Sequence, residues 1–230
     1  VIKIVIIEEQ RLFLESLIEL LNKQPIIEII GTASSHEKGV LEARTKSPSV
    51  VLLDINMSSI GGLEIIKRIT RCDSNTKVLI ISSSYKHPFP YRALQSGAMG
   101  FVTKKSTFDD LINAIKIVNR GEKYISPEVA HHLAINSISD VNDDEPSFNL
   151  LSARELQVMI MITSGLKVQN ISEKLCLSPK TVNSYRYRLF EKLNIKNDVE
   201  LTHLAIGMGL IEIANDSHAR TSTEEKINLA

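Results

Sequence analysis

Five side chains in the first half of the chain are of types that do phosphorus chemistry together: Glu8, Glu9, Asp54, Ser82 and Lys104. A carboxylate acts as a nucleophile toward phosphorus when a hard divalent cation offsets the repulsion between two anions, and paired acids supply the oxygen ligands that such a cation takes. A nearby ammonium then neutralises the transferred group, and a hydroxyl bonds one of its oxygens. Each residue alone reads as a surface acid or a solvated lysine. Their placement is what sets them apart, because each stands at the carboxyl end of an apolar run.

Those runs are Ile2–Ile7, 26–33, Val50–Asp54, Lys77–Ser82 and 100–102, and between them lie amphipathic stretches at about 10–22, 36–46, 62–71, 90–97 and 106–120. Short apolar runs alternating with helical periods are the pattern of strands buried on both faces by crossover helices. In the first helical stretch Phe13, Leu17, Leu20 and Leu21 recur at steps of three and four, which sets one apolar stripe against a sheet. Five strands and five helices predict a doubly wound α/β unit over 1–120. In an open parallel sheet, ligands bind where the strands' carboxyl ends and the following loops converge. Glu8 and Glu9 after the first strand, Asp54 at the end of the third, Ser82 at the end of the fourth and Lys104 after the fifth therefore share one rim.

This stretch resembles the receiver domains of response regulators, a flavodoxin-like (βα)5 fold. The resemblance is carried by Glu8-Glu9, by Val-Val-Leu-Leu-Asp54-Ile-Asn56-Met57, by Ile60-Gly61-Gly62-Leu63, by Ser82, by Gly97-Ala98-Met99-Gly100-Phe101 and by Lys104. It implies that Asp54 is the phosphoacceptor and that magnesium is held by Glu8, Glu9, Asp54 and the Asn56 backbone carbonyl. Ser82, Phe101 and Lys104 become the switch residues, with Phe101 turning inward. The chain departs from the family where both acids are glutamate, where Ser58 follows the methionine and where Lys105 follows Lys104. The longer acids predict weaker magnesium binding and keep a second reading open, a DNA-binding regulator that works without phosphorylation. A third reading, an aspartate-nucleophile phosphatase, lacks a second acid two residues after Asp54, where Asn56 stands.

Composition changes near 121–149. Residues 137–147 hold four acids, three serines and a proline without apolar periodicity, which predicts a linker, preceded by a short helix at 127–135. Beyond it come closely spaced helical periods at 152–164, 168–175, 179–193 and 199–207, the first opening on Ser152-Ala-Arg-Glu155, a capping-box sequence. The stretch 178–196 carries Lys180, Arg186, Arg188, Lys192 and Lys196 against the single acid Glu191, although the whole chain has 27 basic and 27 acidic residues. A local basic face is the usual footprint of a polyanion partner.

Residues 151–210 resemble the LuxR/FixJ-type (NarL-like) helix-turn-helix, and 178–193 are close to its GacA/UvrY branch. An all-α LuxR-type DNA-binding domain over 150–212 follows from the resemblance, with Asn183, Ser184 and Tyr187 facing bases and Lys180, Thr181 and Arg188 facing the phosphate backbone. The implied partners are double-stranded DNA, a sensor histidine kinase and a second copy of the chain on DNA. Leu201, Leu204, Ala205 and Met208 form a stripe that is either core or dimer seam. No run approaches a bilayer span and no secretory leader opens the sequence, so a cytoplasmic place is expected. Cys72 and Cys176 suit reduced thiols, and 213–230 is expected to be a disordered tail.

Overall fold

The computed structural model describes residues 1–55, 62–83, 89–139 and 151–207. Asn56, most of the expected linker, Met208 and the expected tail lie outside the described residues.

The first unit runs β1 (Ile2–Ile7), α1 (Arg11–Asn22), β2 (Ile27–Ala33), α2 (His36–Lys46), β3 (Val50–Asp54), α3 (Gly62–Cys72), β4 (Lys77–Ser82), α4 (Phe89–Gln95), β5 (Gly100–Thr103), α5 (Phe108–Asn119), β6 (Tyr124–Ile125) and α6 (Pro127–Ser139). All its strands are parallel, in the order β2-β1-β3-β4-β5-β6. The sheet is doubly wound as expected, with one strand more than the five read from the sequence. Period-2 patterning cannot announce a two-residue strand; β6 forms because Tyr124 N and Ser126 N donate to Met99 O and Phe101 O at 3.0 Å each. The helix expected at 127–135 continues to Ser139, into residues whose polarity suggested linker.

Alternation along the strands fills both faces. Ile4, Ile6, Leu52 and Val102 pack with Leu17 and Leu21 of α1 and with Leu111 and Ile115 of α5. Val5, Ile7, Leu53, Ile80 and Phe101 pack on the other side with Val40 of α2, Ile66 and Ile69 of α3 and Ala93 of α4. Chain order reverses about β1, which lies between β2 and β3, so the crevice of the switch point opens beyond the ends of β1 and β3. Glu8 and Asp54 stand on either side of it.

The second unit is α7 (Ala153–Thr163), α8 (Val168–Leu175), α9 (Pro179–Leu193) and α10 (Asp198–Gly207). Ser152 caps α7 and closes the capping box with Glu155. Ser178 caps α9, with Pro179 in its first turn. The turn between α8 and α9 is made by Cys176 in the left-handed region, φ 51°. Ile171, Leu175, Val182 and Leu189 are buried together, the small shared core that their spacing predicts. Leu201 and Ala205 of α10 are fully buried, so these two belong to the core and not to a seam. No helix among the described residues is long and apolar enough to cross a membrane.

Glu155 ties this unit together. Its Oε2 accepts from Ser152 N at 2.7 Å and from Lys192 Nζ, near the end of α9, at 2.8 Å. Burial alone would raise the carboxyl's pKa, but the bonds from Lys192 and Ser152 outweigh it and hold it below the usual value. Arg186 adds a bidentate pair from α9 to Asp198 of α10, at 2.7 and 2.6 Å.

Two predictions follow from this packing. A Cβ on Gly39 would lie 2.8 and 2.9 Å from Ile7 Cγ1 and Cγ2, so Gly39→Ala should destabilise the first unit by about 1–3 kcal/mol, seen as a lower Tm in calorimetry. Because the folded pKa of Glu155 is depressed, its stabilisation is complete above 4.5 and fades as pH falls through the folded value. Glu155→Gln in the segment 149–212 should cost about 1–2 kcal/mol at neutral pH. In urea titrations the gap to the parent should close in acid; a gap that stays constant assigns the loss to packing.

Candidate functional site

Sheet register aims the first site. The β3–β4 ladder ends on the pair Asp54–Ile81 and the β4–β5 ladder on Ser82–Thr103. Lys104 N then donates to Ser82 O at 2.8 Å, carrying the β5 backbone one residue further. That register turns the Lys104 side chain across the rim. Its ammonium reaches Asp54 Oδ2 at 2.9 Å and Glu8 Oε2 at 2.8 Å, with Gln10 Oε1 at 3.3 Å and the Phe13 ring centroid at 4.4 Å. Glu8, Asp54 and Ser82 are all buried.

One ammonium between two buried carboxylates leaves the cluster a net negative charge. Burial raises the Glu8 pKa; Lys104 and the Gln10 N–H, which donates to Glu8 Oε1 at 2.8 Å, pull it down without cancelling the rise. The nearby Asp54 charge adds to the rise. A buried anionic cluster of hard oxygens is the donor chemistry of a magnesium site, which takes one or two carboxylates and completes its shell with water. The donor set fits the ion, although no group of three or more acids, histidines or cysteines is gathered about one point among the described residues. Glu9 is exposed, while Glu8 and Asp54 face each other across Lys104.

Phe101 is fully buried, paired in register with Ile80 and Ile125, so the inward position is the one it occupies. Two residues about the ammonium escaped the sequence reading. Gln10 directly follows the acidic pair, and Phe13 was read only as part of the helix stripe. A third, His36, is fully buried at the start of α2 with Nε2 3.4 Å from the Asp54 carbonyl oxygen. Its signal in the sequence is that it is a polar residue just after the second strand, at the same edge as those that follow the others.

The second site is the outer face of α9. Val182, Leu189 and Leu193 are buried, and Lys180, Ser184, Tyr187 and Arg188, spaced at four, seven and eight residues, are exposed on the other side. Asn183 and Thr181 are half-buried at its edges. Thr181 N donates to Ser178 Oγ at 3.1 Å, which ties that residue to the helix start. Tyr187 keeps 65% of its surface exposed and stands edge-on to Phe190. Arg188 lies over the Tyr185 ring at 5.8 Å. Arg186 is held by Asp198 and lies over Phe190, which makes it a clamp between α9 and α10.

Comparison with known proteins agrees with the two units. Residues 4–116 match the response regulator receiver domain, and residues 149–205 match the bacterial regulatory proteins of the luxR family. The chain is 42% identical to response regulator GacA of Pseudomonas syringae pv. syringae (strain B728a), covering 92% of this chain and 98% of GacA. It is 42% identical to response regulator UvrY of Escherichia coli (strain K12), covering 91% of this chain and 95% of UvrY. Among solved structures, RcsB from Salmonella enterica serovar Typhimurium bound to promoter P1flhDC in the presence of phosphomimetic BeF3- superposes with a TM-score of 0.69 at 21% identity, covering 91% of this chain and 99% of that one. Receiver unit, helix-turn-helix unit and near full-length identity thus converge: the chain belongs to the GacA/UvrY-type response regulators, in which a receiver domain is joined to a LuxR-family DNA-binding domain.

Proposed function

We propose that this response regulator is a transcription regulator switched by phosphorylation of Asp54, with a receiver over 1–120 and a DNA-binding domain over 150–212. The observation that carries the reading is the Lys104 ammonium, 2.9 Å from Asp54 Oδ2 at the mouth of a buried acidic pocket. An Asp54 oxygen attacks the donor's phosphorus, the new P–O bond forms, and the bond from phosphorus to the donor's leaving group breaks. Glu8, Glu9, Asp54 and the Asn56 carbonyl would hold magnesium, which supplies the charge that lets one anion approach another. Lys104 neutralises the acquired phosphoryl group and Ser82 bonds one of its oxygens. Phe101, packed inward beneath the same strand ends, links the pocket to the α4–β5 side. Such switches are local electrostatic changes read out at a distant surface.

On α9, Asn183, Ser184 and Tyr187 face base edges, while Lys180, Thr181 and Arg188 face phosphates. A sensor histidine kinase in the cytoplasm is the phosphoryl source, and two copies of the chain meet on the DNA. The alternative that dispenses with phosphorylation is not favoured, because the carboxylate and its counter-charge meet at 2.9 Å and Ser82 ends the neighbouring strand.

Intact-mass measurement after treatment with acetyl phosphate and magnesium should show one phosphoryl group on the parent and none on Asp54→Ala; label persisting in that variant would displace Asp54 as acceptor. Shortening Glu8 to Asp releases space and withdraws one carboxylate from Lys104. Glu8→Asp should therefore bind magnesium more tightly by calorimetric titration and label faster. Neither change occurring would show that side-chain length does not limit the pocket.

On DNA, Asn183→Ala should lose about 1–3 kcal/mol on an operator, with little loss on scrambled sequence. Arg188→Ala should weaken both alike and flatten the salt dependence. Binding curves on the two DNAs at several salt concentrations separate the roles; equal losses for Asn183→Ala would take it out of the base-reading set.

A further inference from the structure

The rim receives one polar side chain from the second strand and helix, and no role above uses it. His36 is the first residue of α2, after the cap Ser35. Gly39, three residues on, lets the helix approach Ile7 so closely that a Cβ there would collide with it. The first turn of α2 is thereby pressed against β1, and the His36 ring is fully buried near the end of β3. Its Nε2 lies 3.4 Å from the backbone oxygen of Asp54. A carbonyl only accepts, so the bond requires the proton on Nε2.

The place of this bond is informative. Pairing of β1 with β3 ends at Ile7–Leu53, while β4 continues to pair as far as Asp54. Asp54 is thus the first residue of β3 beyond its β1 partner, and an imidazole meets its carbonyl instead. That contact restrains the plane of the 54–55 peptide; with the preceding backbone held by the β3–β4 ladder, it also restrains the Asp54 Cα–Cβ bond, whose carboxylate must meet Lys104 on one side and an incoming phosphoryl group on the other.

We infer that His36 is a positioning residue for the phosphoryl acceptor, its Nε2–H anchoring the Asp54 main chain so that the carboxylate is held in line for transfer. The inference rests on Asp54 being the acceptor. At 3.4 Å the bond is long for an N–H donor and contributes little to stability, so its loss acts on rate more than on folding.

Two measurements on the full chain test it. The first compares labelling rates with acetyl phosphate and magnesium, followed by intact mass, alongside thermal unfolding. His36→Leu fills the space without a donor and should label about tenfold more slowly, as a small misplacement of a reacting group does, while His36→Gln, which keeps a planar N–H donor, should stay within about threefold of the parent. Val40→Ala, a buried change on the same helix, should lower Tm and leave the rate unchanged. Equal rates for His36→Leu and the parent, equally slow Leu and Gln variants, or a slowed Val40→Ala would each overturn the role.

The second reads the tautomer of His36 in the unmodified protein from long-range 1H–15N correlations. A proton on Nε2 is expected, and a ring protonated on Nδ1 alone overturns the inference whether or not the chain labels. A parent that takes no label at all removes the acceptor reading instead, and the tautomer still decides the contact.

Discussion

The Lys104 ammonium, set between the Glu8 and Asp54 carboxylates, is the interaction on which the first half of the molecule depends. Two carboxylates so deeply buried cannot both stay ionised without a counter-charge, because desolvation and mutual repulsion would protonate one of them. Lys104 supplies that charge from the end of β5, two strands from β3. It is held there by a backbone bond to Ser82, by Gln10 and by the Phe13 ring. The whole order of β1, β3, β4 and β5 is needed to bring residues 8, 54, 82 and 104 to one edge. The fold is thus the device that holds unlike charges close enough to be worth burying, and any added charge at Asp54 would change the balance that device maintains.

The second half solves a different electrostatic problem. The exposed face of α9 is cationic, yet the helix carrying it must pack against its neighbours. Glu155 and Asp198 engage two of the cations: Lys192 pairs with the first and Arg186 with the second. Lys180 and Arg188 remain exposed on α9. Exposed pairs contribute little to stability, but Glu155 is buried and its pair with Lys192 is hydrogen-bonded to the helix cap, so it fixes α7 against α9. The charges within 178–196 are therefore divided between structure and contact.

How far the sequence speaks depends on the range of the interaction. Strands such as Val50–Asp54 and Lys77–Ser82 were legible because continuous apolar runs ending on a polar residue have few other uses in a soluble chain. The capping box at Ser152 and Glu155 was legible because its partners are three residues apart. Tyr124–Ile125 was not, since two residues show no period, and α6 was cut short where its composition turned polar. In the pocket, residue types and strand ends identified Glu8, Asp54, Ser82 and Lys104. Gln10 and Phe13 went unread because their contact with Lys104 spans about ninety residues of chain, a distance over which no local pattern carries information. Arg186 was countable as a charge; its commitment to Asp198 depends on how α9 crosses α10.

The glutamates of the acidic pair show how such a distant contact shapes the local choice. Glu8 is long enough for one oxygen to accept the Gln10 N–H while the other meets Lys104 at 2.8 Å. An aspartate at this position, one methylene shorter, would have to give up one of those bonds or draw the backbone after β1 inward. Every bond Glu8 makes to protein donors occupies a lone pair that a magnesium ion would otherwise claim, and the ion tolerates little departure from octahedral geometry. The same length that lets Glu8 meet both protein donors thus raises the cost of turning its oxygens toward an ion. Glu8 and Asp54 therefore compete for one ammonium, and any gain in the bond to one carboxylate is made against the bond to the other.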